Sequence, residues 1–486
     1  MAYLPEELLQ NTFRNLQPTL PEAYWEAVYP ENNICYNTFA AICRVSRACS
    51  RIATPLLYRA IDLSRSPEDA YYTSSRSIWF RLVTTFKLLR TFLQRPELVL
   101  EIRALRTRQS YPRLSAKGTP PPEGPNHKQT LGLPHGPYEP VLQDMLISTD
   151  LRLALLRGVQ SLYGDALLAV LVFIAPNIEH LQDAPASQFF ARTQQELAAS
   201  KLQRPFKLHT LDLRGGDAPN AWRTPLYPKH LHRWFRCLPM LHTVRLFNLH
   251  VDRVMNERCA SVVRVELFQG GCSDRSMACL LQCFPNLREL SITLIGISLR
   301  RYQNQDAVFF PCPSRLADAL CEHSQRLEKL HCVVSRTGAN MKNNRSLCEV
   351  LPRPIGDLRP LSQLRELTVT GSALLGEDSI YSVPFRGPRT LVLTLPPSLE
   401  KFRIVEDAQA LGMQWPHEEL DRPKPHLQYR RWELLHEQVW NFCLDERFES
   451  LRCVELDPCD EAYEGGFVCS GWQTVCKNGK AILTRA

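Results

Sequence analysis

The residues that could do chemistry do not gather into a catalytic motif anywhere in the sequence. No glycine-rich phosphate loop, no Gly-x-Ser-x-Gly nucleophile turn and no His-Glu-x-x-His metal motif occurs. His417 is followed by two glutamates but by no second histidine four residues on. The side chains therefore predict a protein that is not an enzyme and has no cofactor. A hydrolase or transferase with an unrecognised site is the weaker alternative.

Cysteines supply the best candidates for metal ligands. Cys279 and Cys283 lie four residues apart beside apolar residues, a pattern typical of thiols packed in a helical core. The C-terminal cysteines are spaced by 6, 10 and 7 residues without the Cys-x-x-Cys pair usual in zinc sites, and they are Cys453, Cys459, Cys469 and Cys476. We expect no metal site, and zinc at the C-terminal set is the alternative.

Composition indicates a globular protein. The chain has 486 residues, of which 44% are hydrophobic and 22% charged, and this length favours several domain-sized units or one elongated architecture over a single compact core. Fifty-eight Lys and Arg against 50 Asp and Glu give a net charge of +8. Because this mild excess forms no dense basic stripe, we expect no nucleic-acid partner.

The expected location is the cytoplasm and/or the nucleus. The 17 cysteines are an odd number, and the first residues form no cationic, apolar leader, so reduced thiols are expected. The longest apolar run, 166–175, has ten residues and ends at Pro176. A run of that length is too short to span a bilayer, so no membrane partner is expected.

An apolar pattern of the form L-x-x-L-x-L recurs along the chain. Copies lie at 99–105, 175–181, 208–213, 238–246, 262–267, 284–292, 327–330, 364–369, 399–404 and 451–456. Alternating apolar residues point to one side of a strand, and the segments between copies have helical spacing, as at Met277, Leu280, Leu281 and Phe284. One such unit cannot bury its apolar side alone, whereas stacked units bury a continuous core.

The expected fold class is α/β. The recurring unit resembles a leucine-rich repeat, although no copy has a clear asparagine at the position that links repeats. We expect an N-terminal helical module at 1–63, a helix and the first repeat strand at 64–105, an irregular solenoid (a horseshoe with parallel strands) at 141–460 and a C-terminal hairpin or cap at 461–486. An ordinary α/β domain whose strands share the pattern is the alternative.

A stretch at 106–140 interrupts this pattern. Eight prolines fall between Pro112 and Pro140, with several glycines among them. Such a composition prevents a helix or a central strand. It favours a flexible insertion, with the three consecutive prolines at 120–122 as a polyproline ligand as the alternative.

The N-terminal segment carries a family resemblance. Leu4-Pro5-Glu6-Glu7-Leu8-Leu9 opens a helix with proline and two acidic residues in its first turn. A second helix carrying Phe39, Ile42 and Val45 leads through Val-Ser-Arg to a segment that ends at Pro55, followed by the sequence LLYRAIDL. Over residues 1–63 this order resembles the F-box, in the form that precedes leucine-rich repeats in fungal F-box proteins.

The resemblance implies a docking module and a receptor module. An F-box docks on the Skp-type adaptor of an SCF (cullin–RING) E3 ubiquitin ligase, and the repeats behind it bind an unknown protein substrate. The residues that would contact the adaptor are apolar positions of the two helices: Leu4, Pro5, Leu8, Leu9, Phe13, Leu16, Ile42 and Val45. Such helices offer a partner an apolar surface that they cannot bury alone.

Two departures from the family pattern leave an alternative open. The link at 17–38 is longer than in the usual F-box, and Cys49 stands where a large apolar residue is usual. Because solenoids need end caps, the N-terminal helices could instead only cap the first strand of a scaffold or receptor that belongs to no ligase.

Overall fold

The computed structural model of the chain shows an α/β protein of helices and mostly parallel strands within the described residues. The chain divides into two compact units, Met1–Leu249 and His250–Ala486. The structure describes residues 5–17, 25–63, 75–107, 140, 143, 147–160, 163–185, 188–199, 207–214, 235, 238–247, 250–251, 258–268, 271–272, 274–295, 313–335, 355–370, 373–374, 391–405, 438–457, 471–477 and 480–486.

The first unit opens with three helices and continues with alternating helices and strands. Its helices are α1 (Glu6–Arg14), α2 (Trp25–Ile42), α3 (Arg47–Leu57), α4 (Ser75–Gln94), α5 (Pro96–Val99), α6 (Thr149–Gln160), α7 (Gly164–Ile174) and α8 (Gln188–Ala199). Its strands are β1 (Ala60–Asp62), β2 (Ala104–Arg106), β3 (His180–Pro185), β4 (Thr210–Arg214) and β5 (Thr243–Phe247). These five strands are parallel and lie in chain order.

The second unit continues the same alternation. Its helices are α9 (Asp274–Cys283), α10 (Pro313–His323) and α11 (Leu391–Thr394). Its strands are β6 (His250–Val251), β7 (Arg264–Phe268), β8 (Gly271–Cys272), β9 (Glu289–Ile295), β10 (Lys329–Ser335), β11 (Glu366–Thr370), β12 (Lys401–Val405), β13 (Cys453–Asp457), β14 (Trp472–Lys477) and β15 (Lys480–Arg485). Strands β7 and β9 to β13 are parallel neighbours, and β6 pairs with β8.

The last two strands form an antiparallel hairpin. β15 pairs with β13 and with β14, so the order at this end is β13-β15-β14. Register places Lys477 opposite Lys480, so two residues connect the strands. The dipeptide Asn478-Gly479, of a type typical of hairpin turns, lies outside the described residues.

One backbone pattern begins the successive parallel strands. The amides of two consecutive residues donate to the same carbonyl at the start of the preceding strand, as Glu328 and Lys329 do to Arg288. Among the described residues this pattern occurs nine times, with acceptors at Arg59, Arg103, Glu179, His209, Val263, Arg288, Glu328, Arg365 and Glu400. The L-x-x-L-x-L copies therefore correspond to one structural unit that is repeated in parallel, which confirms the α/β class with parallel strands.

The core of each unit lies on the leucine side of its sheet. In β9, Leu290 and Ile292 are buried, and the register places buried apolar residues beside them on every neighbouring parallel strand. Helices pack beside this layer, and Leu280, Leu281 and Phe284 are buried as their spacing predicts. The opposite side, which we call the strand face, carries the polar residues that alternate with the leucines.

Several local predictions are wrong. The link at 17–38 is helical from Trp25, because α2 extends eighteen residues to Ile42. Pro55 lies inside α3, which ends at Leu57. The first strand of the sheet is β1, inside the segment expected to be wholly helical. Val99 belongs to a four-residue helix, and the strand that follows begins only at Ala104.

The apolar run at 166–175 forms α7, which is buried along most of its length. Within the described residues no single helix has the length and apolar character needed to cross a membrane. Helices α6 and α7 meet that criterion only when taken together, and they are bent by 111° at their junction.

Candidate docking surfaces

The N-terminal helices form a small core of their own. Phe13 on α1, Phe39 on α2 and Ala53 on α3 are buried together, and the two aromatic rings meet edge to face with their centroids 6.4 Å apart. Glu6 on α1 forms an ion pair with Arg51 on α3. Because each helix contributes to one cluster, α1, α2 and α3 can be treated as one module.

Local signals at the start of α3 explain the sharp turn after α2. Ser46 is extended, and its hydroxyl accepts a hydrogen bond from the amide of Cys49 at 3.1 Å. This is an N-cap, which satisfies an amide that the first turn of a helix leaves unpaired. The Val-Ser-Arg stretch therefore works as a helix start, and the turn leaves Val45 outside both helices.

Seven of the eight residues predicted to contact an adaptor are described, and they fall into three groups. Leu8 and Val45 are exposed, with 51% and 74% of their surface accessible, and Pro5 is exposed as well. Three pack at the margin of the module core and stay partly accessible: Leu9, Leu16 and Ile42. Phe13 is only 6% accessible, so it belongs to the module core and not to an accessible docking surface. Leu4 lies outside the described residues.

The module is also attached to the first strand of the sheet. The hydroxyl of Tyr36 on α2 donates a hydrogen bond to the carbonyl of Ala60 on β1. The Tyr36 ring packs against Ala60 and Ala104 on β1 and β2. One side of the module therefore covers the beginning of the sheet, while Leu8 and Val45 remain accessible.

The strand face of the first unit is closed. Asp62 and Arg106 lie on β1 and β2, 3.9 Å apart, with side chains almost sealed from solvent. On β4 and β5, Arg245 lies 3.4 Å from Asp212, again with both side chains buried. Gln182 on β3 is buried between the two pairs. Buried charges are found where they are paired, since an unpaired one is costly.

Histidines form a row at the beginning of the same strands. The rings of His209 and His242 stack with their centroids 5.7 Å apart, and the ring of His180 meets His209 edge to face at 6.5 Å. Burial, together with the nearby His209 and Arg245, lowers the pKa of His180 to about 4. His180 is therefore a neutral, buried ring at neutral pH.

The strand face of the second unit is more open. Ser291, His331 and Thr368 lie side by side on β9, β10 and β11 and are only partly buried. Burial lowers the pKa of His331, Arg403 lowers it too, and Glu266 opposes them. The row presents two hydroxyls and an uncharged imidazole. These groups can donate hydrogen bonds to a bound chain and accept hydrogen bonds from it.

Ten charged residues line the amino-terminal ends of the strands in the second unit, and we call this strip the charged edge. One row carries Arg264, Glu289, Lys329, Glu366 and Lys401, and the row one residue earlier in the chain carries Arg288, Glu328, Arg365, Glu400 and Arg452. Charges alternate in sign along each row and between the rows, so every strand from β7 to β13 in this parallel set begins with one cation.

Ion pairs connect the charged edge from strand to strand. Glu289 lies 3.3 Å from Arg264 and 3.6 Å from Lys329, and Glu366 lies between Lys329 and Lys401 at 3.6 and 3.7 Å. In the other row Arg288 lies 3.4 Å from Glu328, and Arg365 lies 3.4 Å from Glu400. Opposite charges on adjacent strands stabilise their pairing.

Sequence reasoning missed the charged edge, although the signal is present. The two residues that follow the first leucine are Arg-Glu at 288–289, Glu-Lys at 328–329, Arg-Glu at 365–366 and Glu-Lys at 400–401. The order reverses from one copy to the next. Once the copies are aligned, this alternation predicts opposite charges on neighbouring strands.

Asparagines link repeats, contrary to the expectation from the sequence. The side-chain amide of Asn177 donates to the carbonyl of Leu100, and that of Asn286 donates to the carbonyl of Ala260, each at 2.8 Å. In both cases the acceptor lies two residues before a buried apolar residue of the preceding copy, Ile102 or Val262. The signal is the Pro-Asn step that precedes Ile178 and Leu287.

Five of the described cysteines are buried in the core, Cys259, Cys279, Cys283, Cys332 and Cys443, whereas Cys476 is exposed. Burial raises the pKa of Cys283 to about 12, helped by Cys279 and Cys259, and burial also raises that of Cys332 to about 12. In the part of the chain that the structure describes, no group of three or more His, Cys, Asp or Glu could hold a metal ion. Cys459 and Cys469 of the C-terminal set lie outside that part.

Comparison with known proteins adds no relative: no family model matches the chain, and no curated protein matches it.

Proposed function

We propose that this protein is the substrate-recruiting adaptor of an SCF-type (cullin–RING) E3 ubiquitin ligase. Its N-terminal module is an F-box that docks on a Skp-type adaptor, and through it on cullin. Its repeats are an irregular leucine-rich-repeat array that binds a protein substrate. Ubiquitin transfer is performed by other subunits, and this chain contributes proximity.

The accessibility of Leu8 and Val45 carries the docking half of this proposal. The module buries Phe13, Phe39 and Ala53, so its core is complete without these two side chains, which are 51% and 74% accessible. Large apolar side chains exposed on a small module are typical of a surface that a partner covers. We name a Skp-type adaptor as that partner because residues 1–63 resemble the F-box.

The repeated strands support the receptor half. A parallel array with a polar, partly accessible strand face in its second unit offers many positions for contact with an extended polypeptide. The open row of Ser291, His331 and Thr368 contrasts with the buried charges of the first unit. We therefore place substrate binding on the second unit.

A scaffold function is the second candidate, and the Tyr36 contact favours it. Because Tyr36 on α2 bonds to Ala60 on β1, the module covers the first strand in the way an end cap does. In this alternative Leu8 and Val45 contact no ligase subunit.

Capture of a purified Skp-type adaptor by the full-length chain separates the two candidates. The wild type is expected to retain the adaptor, and the double variant Leu8→Asp/Val45→Asp is expected to lose it at least about tenfold because two charges enter an apolar interface. Leu153→Asp/Leu444→Asp is the matched control, since both leucines are exposed and lie outside the module. Failure of the wild type to retain the adaptor would favour the scaffold, and equal retention by all three proteins would show that Leu8 and Val45 do not form the docking surface.

A further inference from the structure

The cations of the charged edge are more accessible than its carboxylates. Side chains of Arg264, Arg288, Lys329, Arg365 and Lys401 are 45–64% accessible, whereas the four glutamates are 34–38% accessible. Arg452, at the end of one row, is exposed too. The cations are therefore the more accessible charges along the strip.

The charged edge contains six cations and four carboxylates, and Arg264 also pairs with Glu266 on its own strand at 2.6 Å. Glu289 and Glu366 are each shared by two cations. In the row with Arg264 the last position, on β13, is Cys453, and burial raises the pKa of its thiol, as does the nearby Glu455. A neutral thiol leaves Lys401 without a second carboxylate in its row. The excess of cations over carboxylates along the charged edge therefore follows from the repeat pattern.

Exposed ion pairs of this kind can exchange partners at low cost. A solvent-exposed ion pair contributes little to stability, so a cation can turn from its glutamate to an incoming carboxylate with little loss. The six strands from β7 to β13 in the parallel set are spaced about 4.8 Å apart, and the strip extends over about 24 Å. An extended peptide of about seven residues has the same length.

We propose that the charged edge binds an acidic, extended segment of a partner polypeptide, with carboxylates placed against cations that recur on successive strands. This inference rests on the proposed function, because it names the chemical class of the substrate segment. Acidic side chains would contact Arg365 and Lys401, which lie on adjacent strands and are 64% and 63% accessible. On the adjoining strand face, Ser291, His331 and Thr368 would form hydrogen bonds with the backbone of the same segment.

The test uses the full-length chain without the ligase adaptor, so that it does not depend on docking. A fluorescein-labelled peptide of about ten residues that alternates Glu and Gly is titrated with protein, and fluorescence anisotropy is measured at about 50 mM and about 500 mM NaCl. A peptide with Gln in place of Glu is the control ligand. We expect saturable binding of the acidic peptide that weakens at least about tenfold at the higher salt concentration.

Two sets of variants locate the binding. The triple variant Arg288→Gln/Arg365→Gln/Lys401→Gln is expected to weaken binding about tenfold or more, since each exposed charge contributes modestly. Lys87→Gln/Arg90→Gln/Arg95→Gln removes the same charge from α4 and its carboxyl end in the first unit and is expected to bind as the wild type does. The double variant Glu328→Gln/Glu400→Gln removes competing carboxylates and is expected to strengthen binding even if the triple variant fails to fold.

Equal losses in both triple variants would overturn the proposal, because binding would then follow net charge alone. Unchanged binding by the Glu328→Gln/Glu400→Gln variant would overturn it as well. Tighter binding of single-stranded RNA than of the peptide, abolished by the same triple variant, would assign the strip to nucleic acid. Adaptor capture is measured on the same proteins, so loss of docking and loss of peptide binding are separate results.

Discussion

Arg245 on β5 donates a hydrogen bond to Asp212 on β4 across 3.4 Å, and both side chains are sealed from solvent. The register of the two parallel strands places these residues directly side by side. The pair therefore fixes the relative position of two strands on the strand face of the first unit. A buried ion pair of this kind loses more when one partner is removed than it contributes as a pair.

Removal of the Arg245 side chain is expected to destabilise the protein strongly. In Arg245→Leu the Asp212 carboxylate remains buried, and the free energy of unfolding should fall by about 3–5 kcal/mol. Asp212→Asn added to this variant removes the stranded charge and should recover part of the loss. Urea unfolding followed by circular dichroism measures both effects. A loss no larger than that of the exposed Arg90→Leu would contradict this role of the pair.

His180 makes the free energy of unfolding depend on pH. Its pKa is lowered from 6.5 to about 4 in the folded protein, chiefly by burial. Above pH 6.5 the ring is neutral in the folded and the unfolded chain. Below pH 6.5 the ring is protonated in the unfolded chain, whereas it stays neutral in the folded chain down to about pH 4. From near pH 7 down to about pH 5 this one residue should therefore lower the free energy of unfolding by about 2 kcal/mol.

The comparison that isolates this effect uses His180→Phe and the exposed His242→Gln. The slope of unfolding free energy against pH between about 7 and 5 should flatten in His180→Phe and stay as in the wild type in His242→Gln. Parallel slopes for all three proteins would show that His180 does not control the acid response.

The repeated strands were predictable because their signal is local. Each copy needs two alternating apolar residues, and Leu290 and Ile292 show how an L-x-L step becomes two buried neighbours on one strand. Helix boundaries were less predictable. Pro55 usually ends a helix, but its position near the end of α3 removes a single hydrogen bond, and Leu56 and Leu57 still pack against the module core.

The candidate surfaces were less predictable than the fold, because accessibility depends on contacts between distant residues. Phe13 and Leu8 belong to the same helix and to the same apolar pattern, yet one is buried against Phe39 while the other is exposed. The charged edge depends on the alignment of repeats rather than on spacing within one. Only the strand register shows that Glu289 lies between Arg264 and Lys329.

The asparagine links between repeats should contribute measurably to stability. Asn286→Ala removes the hydrogen bond to Ala260 and also the bond that Arg326 donates to the Asn286 side chain. A single hydrogen bond contributes about 0.5–1.5 kcal/mol, so the loss should lie near 1–2 kcal/mol. Asn177→Ala removes only the bond to Leu100 and should lose less. Urea unfolding measures both, and equal, negligible losses would contradict the linking role.

Leu8 and Phe13 should separate docking from folding within one helix. Phe13→Ala removes a buried ring that contacts Phe39, and the free energy of unfolding of the module should fall by about 3–5 kcal/mol. Leu8→Ala removes a side chain that is half exposed, and stability should change by less than about 0.5 kcal/mol. Adaptor capture should nevertheless weaken in Leu8→Ala, because the apolar contact is made only with the partner. The decisive measurement is therefore capture and thermal unfolding on the same three proteins. If Leu8→Ala unfolds as early as Phe13→Ala, the side chain belongs to the module core and the docking surface must lie elsewhere.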